Sequence, residues 1–341
     1  MAHPTGARLV IGLIVGVVAA QALMLLAFAW PASNGGPREV PIAVAGPPEA
    51  VGQIEQGLAS VPGRDADVPA FEVVRVEDEA AATEAIRDRE VYGAVVAGPT
   101  GPHLLVASAA SPAVSQMLRT AAAELSPGGT GVEVQDVVPT SADDPTGAGL
   151  AAGVLPLALT SVAGGLGIGL LLTRRTERFL AVVGLAVAAG AASVALLKYG
   201  LGVLDGSFWE LSAVVALMVG AVAATIAGLG AVLGRAGAGL GLAVMILLGN
   251  PLSAAASAPE FLPQPWGELG QLLPPGAGIS AVRSAEFFDG AAIGQPLLVL
   301  SIWLAAGLLL VLLGWRGRGT VTVDGNVPER GTSEARSSAG A

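Results

Sequence analysis

Few residues in this chain have the types and spacing that catalysis or metal binding requires. Cysteine is absent, which excludes disulfides, thiolate nucleophiles and cysteine zinc sites. The two histidines, His3 and His103, have no partner at i+3 or i+4, the spacing that sets two ligands on one helix face. The single lysine, Lys198, belongs to no Gly-Lys-Ser/Thr triplet. The loop and cation that cradle nucleotide phosphates are therefore missing, and the chain is not expected to hydrolyse ATP by itself. No Gly-x-Ser-x-Gly elbow comes with a suitable His and acid, and His103 reads as an exposed imidazole at a strand edge. Gly165-Leu-Gly167-Ile-Gly169 imitates part of a dinucleotide fingerprint, but it lies inside an apolar run, where close helix packing is the better reading. Glu77-Asp78-Glu79 lacks the spaced oxygen ligands and glycine of a calcium loop and reads as a solvated face. Asp143-Asp144 reads as a helix-capping pair. No cofactor, metal or catalytic pair is expected, and the chain is not read as an enzyme.

The elements around these residues explain the scarcity. Of the 341 residues, 53% are apolar and 13% are charged. Soluble domains average about 45–50% and about 25%. A helix needs about 20 apolar residues to cross a bilayer, and Leu9–Trp30 is such a run without a charge. It is too long for a secretory h-region, and Phe28-Ala29-Trp30-Pro31 is a poor cleavage site, so it reads as a retained anchor with Trp30 at the interface. Five more runs follow: Ala148–Leu172, Phe179–Leu197, Leu211–Gly234, Leu240–Ala256 and Leu297–Trp315. In the fourth of these five, Asn250-Pro251 is expected to end or kink the helix. The fold class is thus an α-helical polytopic membrane protein of six transmembrane helices with an inserted extracytoplasmic α/β domain.

Orientation follows from basic residues in short loops. Arg8, then Arg174, Arg175 and Arg178, then Arg235, then Arg316 and Arg318 fall on one side of a six-span arrangement. Both termini are expected to be cytoplasmic in a bacterial plasma membrane. Residues 1–30 form the cytoplasmic end and first helix, 31–147 the outer domain, 148–316 the remaining five helices, and 317–341 a disordered cytoplasmic tail. The outer domain carries seventeen acidic and six basic residues, a net charge of −11, which argues against nucleic acid or anionic lipid as its partner.

Within that domain short apolar runs alternate with helical periods. Strands are expected at Val40–Ala45, Phe71–Val76, Tyr92–Ala97, His103–Ser108 and Val132–Val138. Helices are expected at Pro48–Ser60, with Val51, Ile54 and Leu58 inward, at Asp78–Arg89, with Ala81, Ala85 and Ile86 inward and its charges outward, and at Ser111–Leu125. Ser111 is a natural N-cap and Pro112 suits the first turn.

The spans hold no deep Asp, Glu, Lys or Arg, so a proton relay for ion-driven transport is not evident. Lys198 and Glu210 sit at span ends, and Gln21 reads as packing glue in the first helix. Gly12/Gly16 and Gly237/Gly241 have the spacing that lets helices approach closely. The loop at 257–296 is proline-rich and brackets two amphipathic pieces, Pro265–Leu273 and Gly278–Phe288. Non-helical backbone at such a place is tolerated only against protein or water. It is expected to pack over the bundle as an outer gate or lid, with Pro263, Trp266, Pro274, Pro275, Gly276 and Arg283 as its candidate residues.

The stretch Gly249-Asn250-Pro251…Phe261-Leu262-Pro263…Trp266…Leu273-Pro274-Pro275-Gly276-Ala277…Arg283-Ser284…Phe288-Asp289-Gly290 resembles bacterial membrane proteins of the phage-infection-protein type, grouped with the ABC-2 type permease superfamily. Asp136-Val-Val-Pro139…Asp143-Asp144-Pro145-Thr-Gly147 resembles them too, as does the layout of one helix, a large outer domain and five helices, over about residues 8–316. The resemblance implies an export-type permease subunit that works with a separate cytoplasmic ABC ATPase and acts as a homodimer or beside a similar permease. Arg174, Arg175 and Arg178 are the dense basic group available for a cytoplasmic contact, and also suit topology determinants near anionic lipid. A competing expectation is a non-transporting envelope scaffold or surface receptor that binds partners through the outer domain.

Overall fold

The structure, a computed structural model, describes residues 4–65, 67–99, 101–124 and 132–314. The tail at 317–341 and the end of the last apolar run lie outside the described residues. Between two groups of apolar helices sits the small α/β domain. Its strands are β1 (Val40–Ala45), β2 (Phe71–Arg75), β3 (Gly93–Gly98), β4 (Gly101–Val106) and β5 (Glu133–Asp136). They pair in the order β2-β1-β3-β4-β5, with β3–β4 antiparallel and the other pairs parallel. The period of two in these strands divides the core between two faces. Ala43, Ala45, Ala94, Val96 and Leu105 pack with Ala82, Ala85 and Ile86 of α3 (Glu79–Arg87). Ile42, Leu104 and Val106 pack with Val114 and Leu118 of α4 (Pro112–Glu124). On α2 (Pro48–Ala59) Val51 is buried, while Ile54 and Leu58 are partly so. On α3 it is Ala82 rather than Ala81 that is buried, a shift of one residue from the expected face.

Local signals account for the helix starts. The Asp78 carboxylate accepts from the Ala81 amide at 2.9 Å and caps α3, and Ser111 Oγ accepts from Val114 at 3.3 Å and caps α4. Removing such a cap costs about 1 kcal/mol. Asp78→Ala is therefore expected to lower the stability of the domain by about that amount, read as a small fall in thermal midpoint in detergent.

Among the described residues, five helices are long and apolar enough to cross a membrane. They are α1 (Pro4–Ser33), α5 (Ala148–Leu171), α6 (Arg175–Ala195, widening into a π turn to Gly200), α7 (Phe208–Leu233) and α11 (Gly294–Leu313). The run Leu240–Ala256 departs from expectation. Its helix, α8 (Arg235–Ala243), starts five residues earlier, continues as a π turn over Val244–Gly249, and stops before Pro251. These 15 residues reach about 22 Å at about 1.5 Å each, short of an apolar core about 30 Å thick. Pro251 lacks a donor and disfavours helix at Asn250, which ends the run early.

α7 is the axis of the bundle. It packs against α5, α6, α8 and α11, and 78% of its most apolar window is buried. Glycines permit this proximity: Gly165 and Gly169 of α5 lie against Ala223 and Ala227 of α7. The Gly165–Gly169 cluster is thus a packing seam. Gly237 and Gly241 of α8 likewise face Leu229 and Ile226 of α7. α1 touches the bundle chiefly along residues 244–253, with none of its apolar window buried, nothing close to Gly12 or Gly16, and Gln21 exposed.

Candidate functional site

The proline-rich segment folds into α9 (Trp266–Gln271), which lies within the expected Pro265–Leu273, and α10 (Pro274–Phe287), which starts four residues before the expected Gly278. It is wedged between the α/β domain and the bundle. Arg38 donates to the carbonyls of Asn34 and Phe261 at 2.9 and 3.0 Å while its Nε holds Asp65 at 2.5 Å. The Gly36 amide also donates to Phe261, and Ala258 and Phe288 enter the two faces of the domain core. On the bundle side, Trp303 donates to the Leu272 carbonyl at 2.8 Å, and Glu286 accepts from the amides of Asp205 and Gly206. The bonds made by Arg38 and Glu286 are charge-assisted and so of the stronger kind.

Where the three parts meet lies a cavity of about 180 Å³, lined by Arg89, Tyr92, Ser253, Gln271, Ser280 and Arg283 among others. Arg89 reaches it by an uncommon route. It follows α3 with φ of 62°, a left-handed position usually given to glycine at a helix end. From there its guanidinium donates to the Ser280 carbonyl at 2.9 Å and to Ser284 Oγ at 2.5 Å, and rests 5.2 Å from the Phe288 ring centre. Arg283 comes from α10, is only 6% exposed, and donates to the Ala255 carbonyl at 2.6 Å. Among the described residues neither arginine forms an ion pair. Burial and the facing Arg89 pull Arg283 down to about 10. Burial likewise lowers Arg89.

The Glu260 carboxylate lies near Arg89, and the Tyr92 hydroxyl donates to it at 2.9 Å. Desolvation pushes the Glu260 carboxyl above its ordinary range, against the pull of Tyr92 and Arg89. Desolvation also raises the Tyr92 hydroxyl, with the Glu260 charge adding to it. A carboxyl whose folded value is raised binds more protons folded than unfolded. Its contribution is complete below the ordinary carboxylate range and is lost as pH rises through the raised value. Thermal stability of the chain in detergent is therefore expected to fall over that interval, and Glu260→Gln to remove this component.

A second cavity, apolar and about 480 Å³, lies on the neighbouring face of α10 between α5, α6 and α7. Leu150, Leu157, Leu197, Met218, Ile279 and Val282 line it. A narrow space bordered by both Arg283 and Leu150 lies between the two cavities. Trp209 and Tyr199 are exposed at the domain end of the bundle, and Trp30 meets Trp266 edge-on at 6.5 Å between ring centres.

The expected lid residues are not all brought together. Arg283 lines the polar cavity, whereas Pro274, Pro275 and Gly276 are buried at the start of α10 and shape its elbow. Trp266 packs on Trp30 of α1, and neither it nor Pro263 lines the cavity. Of the three basic residues at the opposite end, Arg178 is buried and donates to the Gly169 and Leu172 carbonyls at the end of α5. Arg174 and Arg175 remain exposed, and Arg174 lies 3.6 Å from Glu177. Asp144 caps α5 by accepting from Leu150, as the capping reading holds, while Asp143 lies against Gly202. His103 is half-buried and 3.2 Å from Glu79. Arg89, Tyr92 and Glu260 were not singled out by sequence reasoning. The available signal was an arginine at a helix-terminating position that glycine normally fills.

No protein-family model, curated protein or solved structure matches this chain.

Proposed function

We propose that the protein is the membrane-spanning, permease-like subunit of an ABC-type exporter that moves an amphipathic or envelope substrate. In this reading the chain passes the plasma membrane six times, α8 being the short passage completed by the segment after Pro251. Both termini are cytoplasmic and residues 31–147 face outward. The observation that carries the reading is the pair of cavities on adjoining faces of α10, one polar and one apolar, which suits a ligand with a charged end and a greasy end. ATP hydrolysis is assigned to a separate ABC ATPase, since the chain has no phosphate loop with its lysine. α1, apolar and exposed along its length, is the face left for lipid, a second copy or a similar permease.

The opposite end of the bundle favours a second reading. Only Leu172, Thr173 and Arg174 link α5 to α6, and Arg178 is committed to capping α5. That leaves little surface for an ATPase and suits a non-transporting envelope scaffold or surface receptor. Purification from native membranes in mild detergent separates the two. An ATPase that co-purifies, and whose turnover changes when the permease is present, supports export. Recovery of envelope proteins bound through residues 31–147, with no ATPase, supports the scaffold.

A further inference from the structure

We propose that the cavity between Arg89 and Arg283 is a binding site for one phosphate group, gripped by the two guanidiniums from opposite sides. The geometry asks for an anion. Two arginines face the same half-open space, and the nearby Glu260 carboxylate, which accepts from Tyr92, acts on Arg89 through its charge without forming an ion pair with it. Burying a guanidinium without a counter-charge is costly, and a second one beside it adds repulsion. Arg283 has five N–H donors, and its recorded bond is the one to Ala255. The Arg283 side chain borders both the cavity and its narrow extension.

Phosphate fits better than a carboxylate. A carboxylate presents one edge to one guanidinium fork, whereas a tetrahedral phosphate offers oxygens to two forks at once. Ser253, Ser280, Gln271 and Gln295 add polar groups around the same space. The volume of about 180 Å³ leaves room for a phosphate and accompanying waters. It is too small for a nucleotide, since pockets for drug-sized ligands start near 300 Å³.

Two further observations converge on the place. Among the described residues, five non-glycine residues have left-handed backbone, and three of them, Arg89, Ala254 and Ala292, line this one cavity. Such conformations cost about 1–3 kcal/mol each and persist where the surroundings impose them, often at ligand clamps. The exposed Trp30, Trp209, Trp266 and Tyr199 lie at the same end of the bundle, and amphipathic aromatics collect at headgroup level. The phosphate can therefore come from a phospholipid headgroup, with its chain in the adjoining apolar cavity, or from free inorganic phosphate. The site concerns binding alone, so it stands or falls independently of an ATPase partner and of transport.

The test uses the full chain, delipidated in a neutral detergent and titrated calorimetrically with inorganic phosphate. A parallel arm recovers the chain from bilayers containing phosphatidylglycerol and weighs it with retained lipid by native mass spectrometry. Arg89→Gln is expected to weaken binding at least tenfold, consistent with the loss of a charge-assisted bond. Glu260→Gln at pH 8 is expected to tighten it severalfold, a gain that a misfolded variant cannot produce. Phosphate bound without retained lipid identifies the free anion, and retained lipid without phosphate binding identifies the headgroup. Absence of both with the wild-type chain overturns the proposal, as does binding that is indifferent to both substitutions.

Discussion

Valine in place of Gly276 is expected to cost about 3 kcal/mol or more and to abolish binding at the cavity between Arg89 and Arg283. A Cβ there overlaps the Gly270 carbonyl oxygen, stands 2.8 Å from the carbonyl carbon, and lies 3.2 Å from the Gln271 amide. Backbone and a short elbow, rather than the far end of a flexible side chain, would have to move. The elbow joins α9 to α10, where Gln271 accepts from Ser280 Oγ at 2.7 Å. Displacing it tilts α10 and withdraws Arg283. Thermal unfolding in detergent and the phosphate titration read the two effects. Gly294→Ala serves as control, because nothing lies within 4 Å of the Cβ it would add.

The second large effect is expected in the bundle. Gly307 of α11 crosses α7 so closely that an added Cβ falls 2.5 Å from the Ala224 carbonyl carbon and 2.6 Å from the Thr225 nitrogen. Helices in lipid associate through such close packing, because the surrounding lipid is as apolar as the side chains. Gly307→Leu forces α11 away from α7 and is expected to cost about 3 kcal/mol. The loss should appear as a lower thermal midpoint and a smaller monodisperse fraction on size exclusion. Leu309→Val, two residues on at a position 55% exposed, is expected to change neither.

The α/β domain was legible in the sequence because water enforces its pattern. β1 occupies the expected Val40–Ala45, and the Gly98–Gly101 turn joins two antiparallel strands as the glycines suggest. Two of its helices, α3 and α4, begin at the polar caps that precede them, Asp78 and Ser111. The membrane helices were legible as runs but not as packing. α1 has the highest hydropathy, 2.7, with none of its window buried, whereas α7 at 2.2 is the buried axis. In lipid an apolar surface carries no information about which side meets protein, so composition cannot rank these helices. The run Leu240–Ala256 misled for a related reason: apolar residues beyond Pro251 continued the run in composition but not in helix.

The candidate site was legible only by half. Arg283 stood out within the proline-rich motif. Arg89 sits among charges that point to water on α3, and only the left-handed turn after Asp88 swings it into the cavity. Tyr92 and Glu260 are 168 positions apart in the chain. Nothing local announces a pairing of that kind, which exists because the wedge segment folds back onto the domain.

The placement of the acidic domain opposite the Arg174–Arg175 link underlies the whole account, and the absence of cysteine makes it directly measurable. Single cysteines introduced as Arg87→Cys and Arg174→Cys can be probed with a membrane-impermeant maleimide. Arg87→Cys is expected to be labelled in intact cells and Arg174→Cys only after permeabilisation. Labelling of Arg174→Cys in intact cells while Arg87→Cys stays protected would contradict it.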